Sequence, residues 1–400
     1  MFITNPLKEL PGMNYIMISP SFPRNYKYFA IALKNQGINV LGIGSEDYDL
    51  IDQDLKDSLT MYYKVDDLEN YDDVMKAVGF LTHKYGKIDR IESHNEHWLM
   101  LDAKLRTDFN VFGFHTEDMD FVKKKSCMKE IFTKAGVPVI RGGVPHTEEE
   151  TRALIKELGF PVVAKPDSGV GAAHTYKIKH EDDVERYLRT KPPIDYIIEE
   201  FIVGDIETYD GLVDINGDII FENSLVYIDP PMDIMNLDTD NTYYTAREIP
   251  EDTKRYGEKS IQAFNLRERF FHLEFFRRQS GELVALEINI RPPGGKSLDM
   301  FNHSADVDLF NDYAEIVAGH QKSMRTDKLY YSCYVGIKDR PTPRLHSHDE
   351  IIAKLGPALM SHGTIEAIFA RIMGNYYYLF RVKTIEELLE YREFICAMAK

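Results

Sequence analysis

The amino-acid sequence predicts a mixed α/β protein that begins with a doubly wound, parallel sheet. Two observations support this fold class. Strand and helix patterns alternate over roughly the first 115 residues, and later segments alternate polar and apolar residues with the period of two that strands have. The chain has 400 residues, which exceeds the usual size of one domain, so two or three domains are expected.

The N-terminal region contains four strand patterns separated by helical patterns. The strands are predicted at 14–19, 38–46, 61–65 and 88–93, and the helices at 24–37, 70–86 and 96–109. Parallel strands need such crossover helices, so this order favours a parallel sheet. The first strand-to-helix turn, SPSFPRN, lacks the G-x-G-x-x-G pattern, so a dinucleotide site is not indicated there.

The rest of the chain mixes helices with strands that hairpins can join. Helices are predicted at 118–136, 147–159, 180–190, 251–265, 308–319 and 385–398. Strands are predicted within 160–178, 196–214, 269–276 and 282–290, and Asn216–Gly217 is the expected turn of a hairpin. The polar, proline-containing run 229–245 is predicted to be a loop, with a cover over a substrate site as the hypothesis for its role.

The composition of the chain limits the kinds of molecule and the cellular compartment that can be expected for it. The net charge of −17 and the pI near 5.3 argue against nonspecific binding of nucleic acid, which needs a basic surface. Three cysteines without metal-like spacing fit free thiols in a reducing cytoplasm. No apolar run approaches ~20 residues, so no membrane segment is predicted. The expectation is a soluble, cytoplasmic protein without a nucleic-acid or membrane partner.

A lysine and two glycines follow the strand pattern 162–164, in the stretch VVAKPDSGVGAA. Gly169 and Gly171 allow the backbone to approach a ligand, and free N–H groups in such a turn bind phosphate oxygens. Lys165 adds a positive charge for the same phosphate. A glycine-containing hairpin beside a lysine is also common without a ligand, and the pattern alone does not decide between the two.

Polar side chains occupy every second position in the stretch ELVALEINIRPPGG. Glu287, Asn289 and Arg291 fall on one face of the strand, while the apolar residues between them fall on the other. If the preceding strand pairs with this one, Glu274 can lie beside Glu287, and two half-buried carboxylates need a positive charge between them. Mg²⁺ is the natural solution because it prefers oxygen ligands, and Asn289 supplies a third.

Two other interpretations of this face stay open. It can be an ordinary half-solvated strand. Alternatively, Arg291, Arg277 or Lys296 can neutralise the two carboxylates instead of a cation.

Several other charged residues have ordinary explanations. His94 and His97 lack the spacing of a helical zinc pair, so a position at the surface or between domains is expected. Lys129 is expected to be a solvated helix charge. Glu96 is a candidate for the border of a substrate cleft.

Five motifs in their order resemble those of the ATP-grasp superfamily of carboxylate–amine ligases. They are Lys125 eleven residues before the glycine of AGVP, VVAKP with GVGAA, IIEEFIVGDIE, HLEFF and LEINIRPPGG. The resemblance implies three domains: an N-terminal α/β domain over 1–117, an ATP-grasp domain over 118–325 with a lid at about 137–203, and a small C-terminal α+β part over 326–400.

The resemblance also implies three groups of site residues. Those that bind the nucleotide are Lys125, Lys165, Gly169, Gly171, Glu199, Glu200, Phe201, Ile202 and Glu207. Those that bind Mg²⁺, with Mn²⁺ as an alternative, are Glu274, Glu287 and Asn289. Those that act in catalysis are Arg291 and Lys165. In the first group, the lysines and glycines meet the phosphates of ATP, the backbone of the hinge meets adenine, and Glu207 meets the ribose.

The implied activity is that of an ADP-forming ligase that makes a carbon–nitrogen bond. A carboxylate attacks the γ-phosphate of ATP to form an acyl phosphate, and an amine then displaces phosphate. The substrates are expected to be small molecules, with an amino acid as the carboxylate. The oligomeric state stays open, with a homodimer as one candidate because homodimers are frequent among similar proteins. Two alternatives stay open: an enzyme of the same fold that activates bicarbonate, and a module that binds ATP without turnover.

Overall fold

The computed structural model describes residues 3–4, 12–169, 174–228, 239–325 and 327–399. Within these ranges the strands form three sheets: a mainly parallel N-terminal sheet, a small antiparallel sheet and a large antiparallel sheet. The predicted mixed α/β fold class is confirmed. No helix in the described ranges is both long enough and apolar enough to cross a membrane.

The N-terminal sheet has the strand order β1-β4-β3-β2-β5. Its strands are β1 (Ile3–Thr4), β2 (Asn14–Ile18), β3 (Asn39–Gly44), β4 (Met61–Lys64) and β5 (Arg90–Glu92). Its helices are α1 (Lys27–Asn35), α2 (Gln53–Ser58), α3 (Tyr71–Tyr85) and α4 (Leu99–Asp108). Strands β2 to β5 run parallel, as predicted, and β1 joins the edge antiparallel. All of β2 is buried, which is typical of a central parallel strand covered on both faces.

The helix expected over 118–136 is interrupted. It forms two helices, α5 (Met119–Lys123) and α6 (Lys125–Lys134). The break occurs because Lys124 has extended backbone angles and forms a β-bridge with Ser168. The Lys125 amide then donates to the Asp167 carbonyl at 2.9 Å. The first turn of α6 is therefore fixed against residues 167–168.

The small sheet is antiparallel and has the order β6-β9-β7-β8. Its strands are β6 (Gly142–Gly143), β7 (Val162–Pro166), β8 (Tyr176–Ile178) and β9 (Tyr196–Glu200), and its helices are α7 (Glu148–Leu158) and α8 (Glu181–Thr190). Helix α7 begins at a capping box, in which Thr147 and Glu150 satisfy each other's backbone N–H groups. The apolar faces of both helices pack on this sheet, where Ile155 and Val184 share one cluster with Ile198.

The large sheet has the path β15-β14-β10-β12-β13-β16-β18-β17, with β11 beside β10. Its strands are β10 (Gly204–Val213), β11 (Ile219–Asn223), β12 (Leu225–Tyr227), β13 (Asn241–Thr245), β14 (Arg269–Arg278), β15 (Leu283–Asn289), β16 (Tyr331–Ile337), β17 (Leu359–Thr364) and β18 (Tyr376–Val382). The helices around it are α9 (Glu251–Ala263), α10 (Ser297–Ala305), α11 (Leu309–Val317), α12 (His348–Leu355), α13 (Ala370–Met373) and α14 (Ile385–Cys396). Short 3₁₀ turns are Arg24–Tyr26, Tyr48–Leu50, Thr116–Asp118 and Gly356–Ala358.

One predicted loop is partly wrong. The run 229–245 ends in strand β13, because these residues pair with β12 on one side and β16 on the other. Residues 229–238 of the same run lie outside the described residues. The last three strands continue the large sheet, so backbone hydrogen bonds join the C-terminal part to the strands before it.

The two faces of the large sheet are covered by different helices. Tyr209 lies on one face and packs with Phe132 of α6 and Ile261 of α9, and we call this the α9 face. Leu212 lies on the opposite face and packs in a cluster with Phe29 of α1, and we call this the α1 face. Because side chains alternate along a strand, every residue of β10 can be assigned to one face or the other.

A buried charge network joins the parallel sheet to the large sheet. Glu92, at the end of β5, accepts hydrogen bonds from Arg106 of α4 and Arg269 of β14, each at 2.8 Å. All three side chains are at most 9% exposed. Burial acts to raise the pKa of Glu92, but the two guanidinium groups outweigh it and lower that pKa to about 2. The network fixes the chain just before Glu96, a candidate for the cleft border.

We expect Glu92→Gln to lower the free energy of unfolding by about 3 kcal/mol, because the buried Arg269 loses its carboxylate and the buried Arg106 keeps only Asp102, at 3.9 Å. Urea-induced unfolding followed by circular dichroism measures the change. Asp47→Asn is the control, since it removes the partner of Lys64 at an exposed site and is expected to cost less than about 1 kcal/mol. Equal losses in the two variants would contradict a structural role for the buried network.

Candidate active site

Polar side chains of three neighbouring strands meet on the α1 face of the large sheet. The register pairs Glu274 of β14 with Glu287 of β15, and His272 with Asn289. Asp210 of β10 is paired with His272 from the other side. The sequence predicted that Glu274 and Glu287 would lie side by side if their strands paired, and the strands do pair. We call Glu274, Glu287 and Asn289 the oxygen cluster.

Two cations compensate the carboxylates of the oxygen cluster. Lys125 Nζ lies 3.4 Å from Glu287 Oε2, and His272 Nε2 lies 3.0 Å from Glu274 Oε1. Burial acts to lower the pKa of His272, but Asp210 and Glu274 outweigh it and raise that pKa to about 10. Burial likewise acts to raise the pKa of Glu274, but the hydrogen bond and charge of His272 hold it below its usual range. His272 and Glu274 therefore form an ion pair at neutral pH.

The sequence suggested Arg277, Lys296 and Arg291 as cations that could neutralise Glu274 and Glu287, but the first two pair with other carboxylates. Arg277 binds Glu207 through both Nε and Nη2. Lys296 Nζ lies 3.8 Å from Asp299. The charge of Arg291 does help to lower the pKa of Glu274, but less than His272 does. His272 was missed by sequence reasoning, although it lies two residues before Glu274 and so on the same face of its strand.

The oxygen cluster offers two carboxylates and one amide, which are the donors that Mg²⁺ prefers. Mg²⁺ in nucleotide sites is typically held by one or two carboxylates, with substrate phosphates and water completing its shell. Among the described residues, no group of three or more His, Cys, Asp and Glu side chains is arranged for a metal ion. The donor set therefore fits Mg²⁺ that arrives with a phosphate substrate better than a closed protein site.

A second buried cluster lies where the small sheet meets α6. Glu199 of β9 contacts Lys165 of β7 at 2.7 Å and Lys129 of α6 at 2.5 Å. Burial acts to raise the pKa of Glu199, but the two lysines outweigh it and lower that pKa. The pKa of Lys165 is raised, because Glu199, Glu287 and Glu274 together outweigh its burial. The positive charge of Lys165 is therefore stabilised by Glu199 and by the two carboxylates of the oxygen cluster.

The expectation that Lys129 is a solvated helix charge is wrong. The residue is only 8% exposed, donates a hydrogen bond to the Ile140 carbonyl and forms an ion pair with Glu199. The spacing of four residues places Lys129 on the same face of the helix as Lys125, but its burial depends on the contact with Glu199 from a distant strand.

The glycine turn after β7 is described as far as Gly169. Its φ angle of +128° suits glycine alone, and its carbonyl accepts a hydrogen bond from Lys125 Nζ at 3.0 Å. This bond places the turn close to the lysine that also contacts Glu287. Gly171, the other predicted loop glycine, lies in the segment 170–173, outside the described residues.

A small apolar cluster lies beside the end of β9. Its buried members are Ile140, Ile202 and Val284, and Phe276 and Leu286 pack against them. The cluster joins the hinge after β9 to strands β14 and β15, so it is continuous with the oxygen cluster. A flat, apolar ligand group of the size of a nucleobase suits such a position.

The side chains of the predicted hinge are held in place by cations. Glu200 bonds to Arg141 and Arg278, and both guanidinium groups hold its pKa below the usual range against the opposing effect of burial. The ring of Phe201 lies under Lys177 Nζ, which is 3.5 Å from its centroid. These contacts fix the course of the hinge backbone, and the predicted backbone contacts to adenine stay a prediction.

Glu207 is not brought to the oxygen cluster. Side chains alternate along β10, so Glu207 falls on the α9 face, opposite to Asp210. There its carboxylate binds Arg277 and accepts a hydrogen bond from Thr253 of α9 at 2.7 Å. The ribose role of Glu207 stays a prediction, and these contacts engage its carboxylate elsewhere. The sequence motif does not reveal which face of the strand the residue takes.

Arg291 reaches the N-terminal sheet from the end of β15. Its Nε lies 3.2 Å from Glu96 Oε2, and its Nη2 lies 3.4 Å from the Asn289 side-chain oxygen. Glu96 therefore borders the same site, as the sequence suggested. His94 is buried between Phe29 of α1 and Tyr313 of α11, and His97 contacts Glu69 at the surface. Both histidines lie where the sequence placed them.

These parts form one continuous site with a definite chemical capacity. The apolar cluster lies at one end of the site, and three positively charged side chains follow it. The oxygen cluster, which can bind a metal ion such as Mg²⁺, lies among these side chains. The cations are Lys125, Lys165 and Arg291. A polyphosphate and a second anion can therefore be neutralised side by side on this face.

Comparison with known families agrees with this geometry. Residues 158–299 match the family model described as the ATP-grasp domain. The matched range includes the hinge, the turn after β7 and the whole oxygen cluster.

Curated relatives resemble this chain over different lengths. The L-arginine-specific L-amino acid ligase of Bacillus subtilis is 27% identical over 263 residues, which are 64% of this chain and 63% of the relative. The carbamoyl phosphate synthase large chain of Methanosarcina mazei is 23% identical over 374 residues, 84% of this chain and 32% of the relative. The chain thus spans less than two thirds of the length of either relative.

Solved structures share the fold over nearly the whole chain. An L-amino acid ligase from Bacillus licheniformis superposes with a TM-score of 0.72 at 15% identity, covering 97% of this chain and 98% of that one. An N5-carboxyaminoimidazole synthetase from Staphylococcus aureus, complexed with ADP, gives 0.71 at 15% identity and covers 95% of each chain.

We expect Lys129→Met to lower the free energy of unfolding by about 3 kcal/mol, because it removes one partner of the buried Glu199 carboxylate. Lys134→Met on the same helix is the matched control. It removes only an exposed pair with Glu130 and is expected to change stability by less than about 1 kcal/mol. Chemical unfolding of both variants supplies the comparison, and a harmless Lys129→Met would contradict the structural role assigned to this lysine.

Proposed function

We propose that this chain, whose residues 158–299 match the ATP-grasp domain model, uses ATP to join a small carboxylic acid to an amine. The observation that carries this proposal is the oxygen cluster flanked by Lys125, Lys165 and Arg291. Such an arrangement neutralises a triphosphate and a carboxylate together, which is the main requirement for transferring a phosphoryl group between two anions.

The nucleotide fits one orientation best. In that orientation the base lies against the apolar cluster that contains Ile140, Ile202 and Phe276, which offers apolar contact area to a flat ring. The phosphates then extend toward Lys165 and Lys125, and the Gly169 turn lies over them. Glu274, Glu287 and Asn289 would hold Mg²⁺, which supplies further neutralisation of the phosphate oxygens.

The chain's own residues then support two steps. A carboxylate oxygen of the acid attacks the γ-phosphorus, the bond to the β–γ bridging oxygen breaks, and ADP leaves with an acyl phosphate as the product. The amine attacks the acyl carbon, a carbon–nitrogen bond forms, and phosphate leaves with one of the original carboxylate oxygens. Arg291 orients the carboxylate and then stabilises the acyl phosphate, because its fork of N–H donors matches such oxygens.

An amino acid is the proposed carboxylate substrate. The Bacillus subtilis relative is named for this activity, and the Bacillus licheniformis ligase shares the fold over nearly the whole chain. Bicarbonate is the second candidate, because the match to the carbamoyl phosphate synthase large chain extends over 84% of this chain. Both candidates use the same oxygen cluster and differ only in the acid.

The direct test measures release of ADP and phosphate from Mg-ATP with each amino acid, alone and in pairs, and with bicarbonate in a separate reaction. Release that needs a particular amino acid, or a pair, is the expected result. Release with bicarbonate alone would replace the amino acid by the second candidate. ATP binding without any ADP formation would contradict the proposed ligase activity.

Glu287→Gln is expected to reduce turnover on the order of a hundredfold while leaving nucleotide affinity within a few-fold, because a charge that stabilises phosphoryl transfer is lost. Glu282→Gln is the matched control, since this residue lies just before the same strand and its side chain is 56% exposed and paired with Arg278. Steady-state kinetics and nucleotide titration of both variants make the comparison. Full activity of Glu287→Gln would remove the residue from the proposed metal site.

Arg291→Lys is expected to lower kcat on the order of a hundredfold, because a single ammonium group cannot reproduce two parallel N–H donors. Arg186→Lys, which changes a half-exposed arginine paired with Asp183 on α8, should leave kcat unchanged. The kcat of each variant with saturating ATP is the readout. A kcat in Arg291→Lys equal to that of the control would show that the fork is not used in the reaction.

A further inference from the structure

A cleft of about 440 Å³ lies on the α9 face of the large sheet, away from the oxygen cluster. Val226, Tyr244 and Tyr331 form its floor, and Arg247 and Lys328 lie on its wall. Its side of the sheet follows from the register, since Val226 pairs with Glu207, which points to the α9 face. The volume is within the usual range of roughly 300–1,000 Å³ for small-molecule sites.

Lys328 is a largely buried amine without an ionic partner. In the part of the chain that the structure describes, no carboxylate or carbonyl oxygen makes an ion pair or a hydrogen bond with its Nζ. Glu222 is the acid whose charge affects Lys328 most, but its two oxygens are taken by Tyr209 and Lys254. Burial lowers the pKa of Lys328 to about 8; the charge of Lys254 acts in the same direction, and the charges of Glu222 and Asp210 act against it.

Arg247 is held beside Lys328 by backbone contacts. Its Nε donates to the Lys328 carbonyl at 3.2 Å, and its Nη1 donates to the Lys383 carbonyl at 3.3 Å. These bonds fix the guanidinium without neutralising it. Glu248 also lines the cleft, but it makes no ion pair with either cation in the described structure. Two neighbouring cations thus face the same space without a carboxylate between them.

The floor of the cleft is aromatic. Tyr244 and Tyr331 meet edge to face with ring centroids 6.1 Å apart, and Arg247 lies over the Tyr331 ring at 5.7 Å. Aromatic rings offer apolar contact area, while the cations above them attract negative charge. Aromatic rings below two cations favour a ligand that has a negatively charged group attached to an apolar part.

We propose that this cleft binds a small organic anion, whose carboxylate or phosphate contacts Lys328 and Arg247 and whose apolar part lies on Tyr244 and Tyr331. The site is separate from the nucleotide site, since it lies on the other face of the sheet. The proposal does not depend on the proposed ligase activity.

The test follows the Lys328 amine directly in the full chain labelled with [ε-¹³C]lysine. Its resonance is assigned by its loss in Lys328→Met, or in Lys328→Arg if the first variant does not fold. Benzoate and phenyl phosphate serve as probes, because they share the apolar ring and differ in the anionic group. Following this single resonance separates binding in the cleft from binding of phenyl phosphate at the nucleotide site.

We expect one or both probes to raise the titration midpoint of Lys328 saturably by about one pH unit, which is a tenfold preference for the charged amine. The probe with the larger shift identifies the anionic group. Arg247→Gln should remove the shift, and the Lys254 resonance should not move, because that amine is already paired with Glu222. An unchanged midpoint with both probes, or a shift that sodium chloride of equal ionic strength reproduces, would overturn the proposal.

Discussion

The side-by-side placement of Glu274 and Glu287 is the constraint on which the rest of the site depends. Their strands are paired, so the two carboxylates cannot separate without breaking the sheet. Two negative charges on directly paired, half-buried residues repel each other, and this arrangement is unfavourable unless cations lie near them. In this structure Lys125 and His272 supply the compensation, and a metal-bound phosphate would add to it.

The compensating groups come from separate parts of the fold. The position of Lys125 depends on the break between α5 and α6 at Lys124, where the start of α6 is bonded to residues 167–168. Lys165 comes from the small sheet and is held by Glu199, whose other partner is Lys129. The N-terminal sheet adds Glu96 opposite Arg291. The site therefore exists only when the three sheets are assembled, and the buried network around Glu92 is one of the interactions that hold two of them together.

The sequence predicted the features that depend on local periodicity or on motif order. The parallel N-terminal strands follow from the alternation of strand and helix patterns, and the shared face of Glu287 and Asn289 follows from a period of two. The side-by-side position of Glu274 and Glu287 was predicted only on the condition that their strands pair. Contacts between distant segments decided the rest. The burial of Lys129 depends on Glu199, the strand at 241–245 depends on partners on both sides, and the orientation of Glu207 depends on the register of β10. No local pattern contains that information.

The central claim is that a substrate carboxylate takes up the γ-phosphoryl group of ATP on this face. The measurement that tests it most directly uses the acid that elicits ADP release, labelled with ¹⁸O in its carboxylate, and analyses the released phosphate by ³¹P NMR. An acyl phosphate requires one labelled oxygen to appear in the phosphate. Release of unlabelled phosphate together with ADP would mean that water, not the carboxylate, accepts the phosphoryl group, and would contradict the account.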